Sequence, residues 1–138
     1  EGLKDGTIDS IATDHAPHTD LEKHVEFNFA SFGIVGLETA LSLIITNLVK
    51  TKVLSLSEAL SKLTINPAKV LSIDKGTLKI GSDADIVVFD TEEEVIVDVN
   101  KFASKGKNSP FNGFKLNGKV YATLVKGEFV YPDNYRGV

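Results

Sequence analysis

The chain has 138 residues, of which 42% are hydrophobic and 25% charged, with a net charge of −4. That length and balance suit one folded domain with a real core and exclude a disordered chain. The acidic balance offers no basic face for nucleic acid, and with no cysteine there is neither a disulfide framework nor a thiolate metal site.

Residues 8–13, IDSIAT, form a short β-branched and apolar run ending at Asp14, the pattern of a buried parallel strand. From 15 to 32 the pattern dissolves into Pro17, charges and isolated aromatics, which predicts a long loop. Loops of that length in compact domains usually carry function. After Gly33, the stretch GIVGLETALSLIITNLVK predicts a helix over 34–49. It is broken by Glu38, Ser42, Thr46 and Asn47 and falls short of the ~20 apolar residues of a membrane span. Glu38, Ser42 and Thr46 recur every four residues as one narrow polar stripe, so this helix must be covered on most sides within a multi-layer fold. No basic segment followed by an apolar one opens the chain, so no signal peptide is expected. The first residue is Glu1 rather than methionine, which predicts a processed protein or a piece of a longer one.

Ser55-Leu56-Ser57-Glu58 fits a capping box, and the helix it opens should run through Leu60 and Leu63 to about Ile65. Asn66-Pro67 breaks it, and Pro67 then suits the first turn of a short helix over 68–71. From Lys75 the character turns to β. Residues 85–89 and the alternating EVIVDV predict two strands, with Glu92-Glu93-Glu94 as a solvated turn. Residues 119–125 and 128–131, joined by Lys126-Gly127, predict a hairpin. The natural division is an α/β part, 1–73, and a β-rich part, 74–138.

The motif TDHAPH, residues 13–18, admits three readings. Thr13 and Asp14 cap a turn and the histidines are ordinary surface or core residues. Alternatively, Asp14, His15 and His18 hold a metal, although Pro17 opposes a regular helix there and a zinc site needs at least three protein ligands. Thirdly, Asp14 stands at the C-terminal end of a barrel strand, where active residues sit, and His18 reaches an anionic substrate from the loop.

IATDHAPH, with DGTID before it and FGIVGLETAL after it, resembles the C-terminal portion of a dihydroorotase, a family of the amidohydrolase superfamily. TINPAKVL, KGTLKIGSDADIVVFD and SKGKNSPFNGFKLNGKVYATLVKGEFVY carry the resemblance across the chain. TDHAPH is specific, whereas hydantoinases and allantoinases tend to have a serine-aspartate-histidine variant without the second histidine. GSDADIVVFD is shared widely and discriminates little. Ser31 stands where the family usually has a proline before Phe-Gly.

The resemblance implies an α/β fold: the last strand and closing helices of a (β/α)8 metal-dependent hydrolase barrel in 1–73, then part of a small β-sandwich in 74–138. It implies reversible hydrolysis of the cyclic amide of dihydroorotate to N-carbamoyl-L-aspartate in pyrimidine biosynthesis, with a pair of zinc ions, in a cytoplasmic homodimer without membrane or nucleic-acid partners. Asp14 would ligate one zinc ion and move the proton from hydroxide to the departing ring nitrogen. His18 would grip the substrate carboxylate, and Phe32 and Gly33 would line the pocket. His15 would be a packing partner, or a residue that supports the ligands, and not a ligand itself. No His-x-His pair is present, so the chain is expected to be an inactive C-terminal fragment with exposed apolar patches and unpaired strand edges. A hydantoinase-like or allantoinase-like hydrolase is the nearest alternative. A non-catalytic assembly subunit is another, opposed by retention of Asp14 and His18.

Overall fold

Two helices of the first half begin where a hydroxyl and a glutamate three residues on can satisfy each other's ends. In the computed structural model, which describes residues 1–132, Ser55 opens α4 (Leu56–Ser61) with the reciprocal bonds of a capping box. Thr19 does the same with Glu22 for α2 (Asp20–Lys23). Before them comes α1 (Gly2–Asp5) at the start of the chain, and between them lies α3 (Ala40–Ile44), which continues as a π-helical turn over Ile45–Val49. Last comes α5 (Ile65–Val70), with Pro67 in its first turn, where a missing N–H costs nothing. Of the expected 74–138 region, residues 133–138 lie outside those described.

The second half supplies β1 (Ile86–Ile96), β2 (Lys115–Val125) and β3 (Glu128–Tyr131), a three-stranded antiparallel sheet in that order. Lys126 and Gly127 both take left-handed backbone angles, φ 51° and 85°, which gives the two-residue turn a twist that suits the flanking strands. The predicted hairpin is present, with β2 beginning four residues earlier, at Lys115 instead of Lys119.

Several expectations need correction. The solvated turn at 92–94 is a bulge inside one continuous strand. Asp90 pairs with Lys119 and Glu94 with Asn117, so three residues of β1 oppose Gly118 alone. Asp90 Oδ1 holds the bulge by accepting the N–H groups of Glu92, at 2.6 Å, and Glu93, at 3.1 Å. The glutamates are also engaged: Glu92 by Lys50, Glu93 by Lys119 and Tyr121. The helix over 34–49 forms only from Ala40, because the preceding residues are committed elsewhere: Ile34 bridges to His15, and the Val35 N–H donates to the Asn108 carbonyl at 3.1 Å. The helix predicted to reach Ile65 stops at Ser61, and α5 starts at Ile65 instead of Ala68. The long loop contains α2, whose T-x-x-E start has the same logic as Ser55–Glu58.

The strand expected over 8–13 does not form. A central parallel strand needs ladder partners on its flanks, and among the described residues none lies beside it. Its polar groups are met from the helices: Lys62 Nζ donates to the Ile8 carbonyl at 2.5 Å, Asn66 Nδ2 to that of Asp9 at 2.9 Å, and the Ile11 N–H to the Lys62 carbonyl at 3.0 Å.

The core joins these layers. Ile44, Leu54 and Ala59 are buried together, with Leu3, Ile11, Leu48, Val49, Val53 and Leu63 against them. On its other side the helix meets β2. Gly118 has φ 104°, and a side chain there would come within 2.8 Å of Ile45 Cδ1, so glycine is required both by angle and by space. The polar stripe lies along this contact. Ser42 Oγ donates to the Gly118 carbonyl at 2.6 Å, Thr46 Oγ1 accepts the Asn117 N–H at 2.8 Å, and Glu38 accepts the N–H groups of Ala103 and Ser104. What reads in sequence as one polar stripe is, at Ser42 and Thr46, the helix's seam with the sheet and, at Glu38, a tie to the loop at 103–104. No helix among the described residues is long and apolar enough to cross a membrane.

Candidate functional site

Downstream of Asp14 the chain runs beside residues 33–36. The only parallel bridge among the described residues joins His15 to Ile34, and the Ala16 N–H donates to the Ile34 carbonyl at 2.9 Å. Two glycines allow the backbones this close. A Cβ on Gly36 would stand 2.6 Å from the Thr13 carbonyl oxygen, and one on Gly33, at φ 106°, would stand 2.4 Å from Ala16 Cβ. His15 Nδ1 accepts the Gly36 N–H at 3.1 Å, which ties this histidine to the neighbouring segment.

His18, Phe32 and Gly33 are brought together. His18 Nε2 lies 2.7 Å from the Phe32 carbonyl oxygen. A carbonyl only accepts, so Nε2 carries the proton and Nδ1 is left for another partner. On the Nδ1 side stands Glu22 Oε2, at 3.8 Å. Glu22 is tied to the N–H and hydroxyl of Thr19, both at 2.8 Å, and these bonds hold its carboxyl below the usual range, with the nearby His18 adding to the effect. The Phe32 ring is 91% exposed, so only its carbonyl takes part in the contact.

Two side chains that sequence reasoning passed over hold the arrangement. Lys23, at the end of α2, donates from Nζ to the carbonyls of Ser31, at 2.7 Å, and Gly33, at 3.1 Å. Asn108 reaches in from the loop before β2: its Oδ1 accepts the His18 N–H at 2.9 Å, and its Nδ2 donates to the carbonyls of Ala16, at 2.9 Å, and Gly33, at 3.3 Å. The T-x-x-E pattern at Thr19 would have found α2 and hence Lys23. Asn108 carries no local signal, because its partners lie between 75 and 92 residues away in sequence.

Asp14 stands apart from this cluster. It is solvent-exposed, its backbone is left-handed at φ 45°, an angle that aspartate tolerates better than most residues, and its carboxylate has no hydrogen bond or ion pair among the described residues. No group of three or more His, Cys, Asp or Glu side chains among the described residues is placed to hold a metal ion. One carboxylate is short of the three protein ligands that a zinc centre needs, so the residues present do not fit a complete metal site.

The sequence profile of the Amidohydrolase family matches residues 1–130. A dihydroorotase of Acetivibrio thermocellus is 63% identical over 130 residues, which cover 94% of this chain and 30% of that protein. One from Bacillus subtilis is 49% identical over 133 residues, 96% of this chain and 31% of that protein. Among solved structures, an L-hydantoinase (dihydropyrimidinase) from Arthrobacter aurescens superimposes with a TM-score of 0.87 at 37% identity, covering 94% of this chain and 30% of its own. The chain thus spans about a third of the length of the relatives it matches.

Proposed function

The chain belongs to the amidohydrolase family, and from that premise we propose that it forms the C-terminal part of a dihydroorotase, opening the cyclic amide of dihydroorotate to N-carbamoyl-L-aspartate. The observation that carries this reading is the 63% identity to a dihydroorotase along 94% of the chain. The juxtaposition of His18 with Phe32 and Gly33 supports it by supplying a built contact for an anionic cyclic substrate.

In this proposal residues 1–73 close a (β/α)8 barrel and 74–138 complete a small β-sandwich, with the intact protein a homodimer in the cytoplasm serving pyrimidine synthesis. His18 pairs with the substrate carboxylate on the Nδ1 side of its ring, which its bond to Phe32 leaves open, displacing Glu22 from that side. Phe32 and Gly33 present backbone groups to the ring. Asp14 takes the proton from the attacking water and passes it to the ring nitrogen as the C–N bond breaks, general acid–base work for which its exposed, unpaired carboxylate is free. We assign Asp14 also as one ligand of a zinc pair, and place the remaining ligands in the additional length that the relatives have.

The test is turnover by the intact protein carrying this chain. Dihydroorotate should be consumed and carbamoyl aspartate formed, with unsubstituted hydantoin, which lacks the carboxylate, a much poorer substrate. His18→Ala should lower kcat/KM for dihydroorotate by about 10- to 100-fold, the worth of one charge-assisted hydrogen bond. A higher kcat/KM for hydantoin would favour the hydantoinase-like alternative, to which the 0.87 superposition gives independent support. A protein inert toward both would leave the assembly-subunit alternative. The 138 residues by themselves should show no turnover, because the described residues gather no metal site; activity in that piece, free of full-length enzyme, refutes the assignment.

A further inference from the structure

We propose that Asn108 is a positioning residue for the anion-binding histidine: by fixing the backbone at His18 it sets where the imidazole meets the substrate carboxylate, an inference that rests on the reading of His18 given above. One carboxamide satisfies both segments of the site. Its oxygen accepts from the His18 N–H, and its nitrogen donates to Ala16 on the same segment and to Gly33 on the other. The Asn108 carbonyl adds a fourth tie by accepting the Val35 N–H at 3.1 Å. The amide cannot be turned round, since a flip would set its nitrogen against an N–H and its oxygen against two carbonyls.

The loop that carries Asn108 is itself braced. Lys107 Nζ donates back to the carbonyls of Phe102, at 2.7 Å, and Ser104, at 2.8 Å. Gly106 lies so close to Pro17 that a Cβ there would be 2.7 Å from the proline's own. The clamp is therefore a stiff loop pressed onto Ala16-Pro17-His18, with its one polar contact to the His18 backbone made by Asn108. The imidazole itself has two lighter ties, Nε2 to the exposed Phe32 carbonyl and Nδ1 facing Glu22 at 3.8 Å. Releasing the His18 N–H frees the ring to swing about those ties.

The test uses the intact protein carrying this chain, with dihydroorotate as the probe. Asn108→Ala should raise KM about tenfold with a much smaller change in kcat, because the loss is one of substrate grip. Asn108→Asp, nearly the same shape, keeps the acceptor and loses the donor, facing a carboxylate oxygen toward two carbonyls; it should raise KM at least as much, and it serves if the alanine variant folds poorly. In a His18→Ala background neither change should raise KM further, since the effect acts through His18. Faster hydrogen exchange at the His18 amide in Asn108→Ala should accompany the rise, a readout independent of turnover. A raised KM in His18→Ala with Asn108→Ala unmoved overturns this proposal alone, as do additive effects in the double variant or an unchanged exchange rate. An unmoved KM in His18→Ala overturns the substrate reading of His18, and this inference with it.

Discussion

The loop site and the helix–sheet contact are built on different principles. Around His18, two irregular segments are held by single polar side chains, Asn108, Lys23 and His15, each bonding to backbone, while Phe27, Phe29 and Phe32 stand at least 78% exposed. Between α3 and β2, Ile45 is fully buried against Gly118, and the hydrogen bonds of Ser42 and Thr46 run along a packed seam. The first region places chemical groups with little burial behind it. The second supplies stability with no chemistry. Activity and stability should therefore separate by position, which four changes can test.

The largest effect belongs to Asp14. In the intact protein Asp14→Asn should lower turnover by about 10²- to 10⁴-fold, the range for loss of a general acid–base group. Stability of the 138-residue chain should move by no more than about 0.5 kcal/mol, because the carboxylate is exposed there and without partners among the described residues, and asparagine accepts the same left-handed angle. Steady-state kinetics beside thermal unfolding checks both halves. Loss of stability along with activity would break the contrast between the regions.

Ile45→Ala should do the reverse. Removing a fully buried side chain from the helix–sheet contact should cost about 2–5 kcal/mol, seen as a lower urea midpoint. Ser42→Ala sharpens the point at smaller scale. It strands the buried Gly118 carbonyl that the hydroxyl now satisfies, at a cost of about 1–3 kcal/mol. If either variant unfolded at the wild-type urea concentration, the seam would not be what holds these layers together.

Legibility in the sequence follows the same division. Local chemistry was readable: Ser55 and Glu58 gave a helix start and Lys126-Gly127 a turn, while of the residues named through the resemblance His18, Phe32 and Gly33 lie together and Asp14 lies apart. Partnership was not. Residues 8–13 have the composition of a buried strand, but composition cannot supply a neighbour to pair with. The Glu38–Ser42–Thr46 stripe has helical spacing whether it faces water or a sheet edge, and Gly118 and Asn117 across the seam lie more than 70 residues away. Asn108 was invisible for the same reason. A carboxamide in a turn signals only a turn until the loop it seats against is known.

The smallest expected effect is acid sensitivity at the β1 bulge. Lys119, and then Tyr121, hold the Glu93 carboxyl below its ordinary value of 4.5, and two backbone N–H groups hold Asp90 below 3.8. A carboxyl whose pKa is lower in the folded than in the unfolded chain binds fewer protons when folded. Its contribution is thus complete above the ordinary value and lost as pH falls through the lowered one. Stability should decline below about pH 4.5, and Glu93→Gln should make that decline shallower without altering the profile between pH 6 and 8. Because these groups are exposed, the effect is modest and salt should shrink it further. Urea midpoints measured from pH 7 down to pH 3 supply the check. The loop site has a matching group in Glu22, held low chiefly by Thr19, so acid should loosen α2 as well. A Glu93→Gln protein as acid-sensitive as the wild type would leave the origin of that decline with Asp90 or with Glu22 at the site.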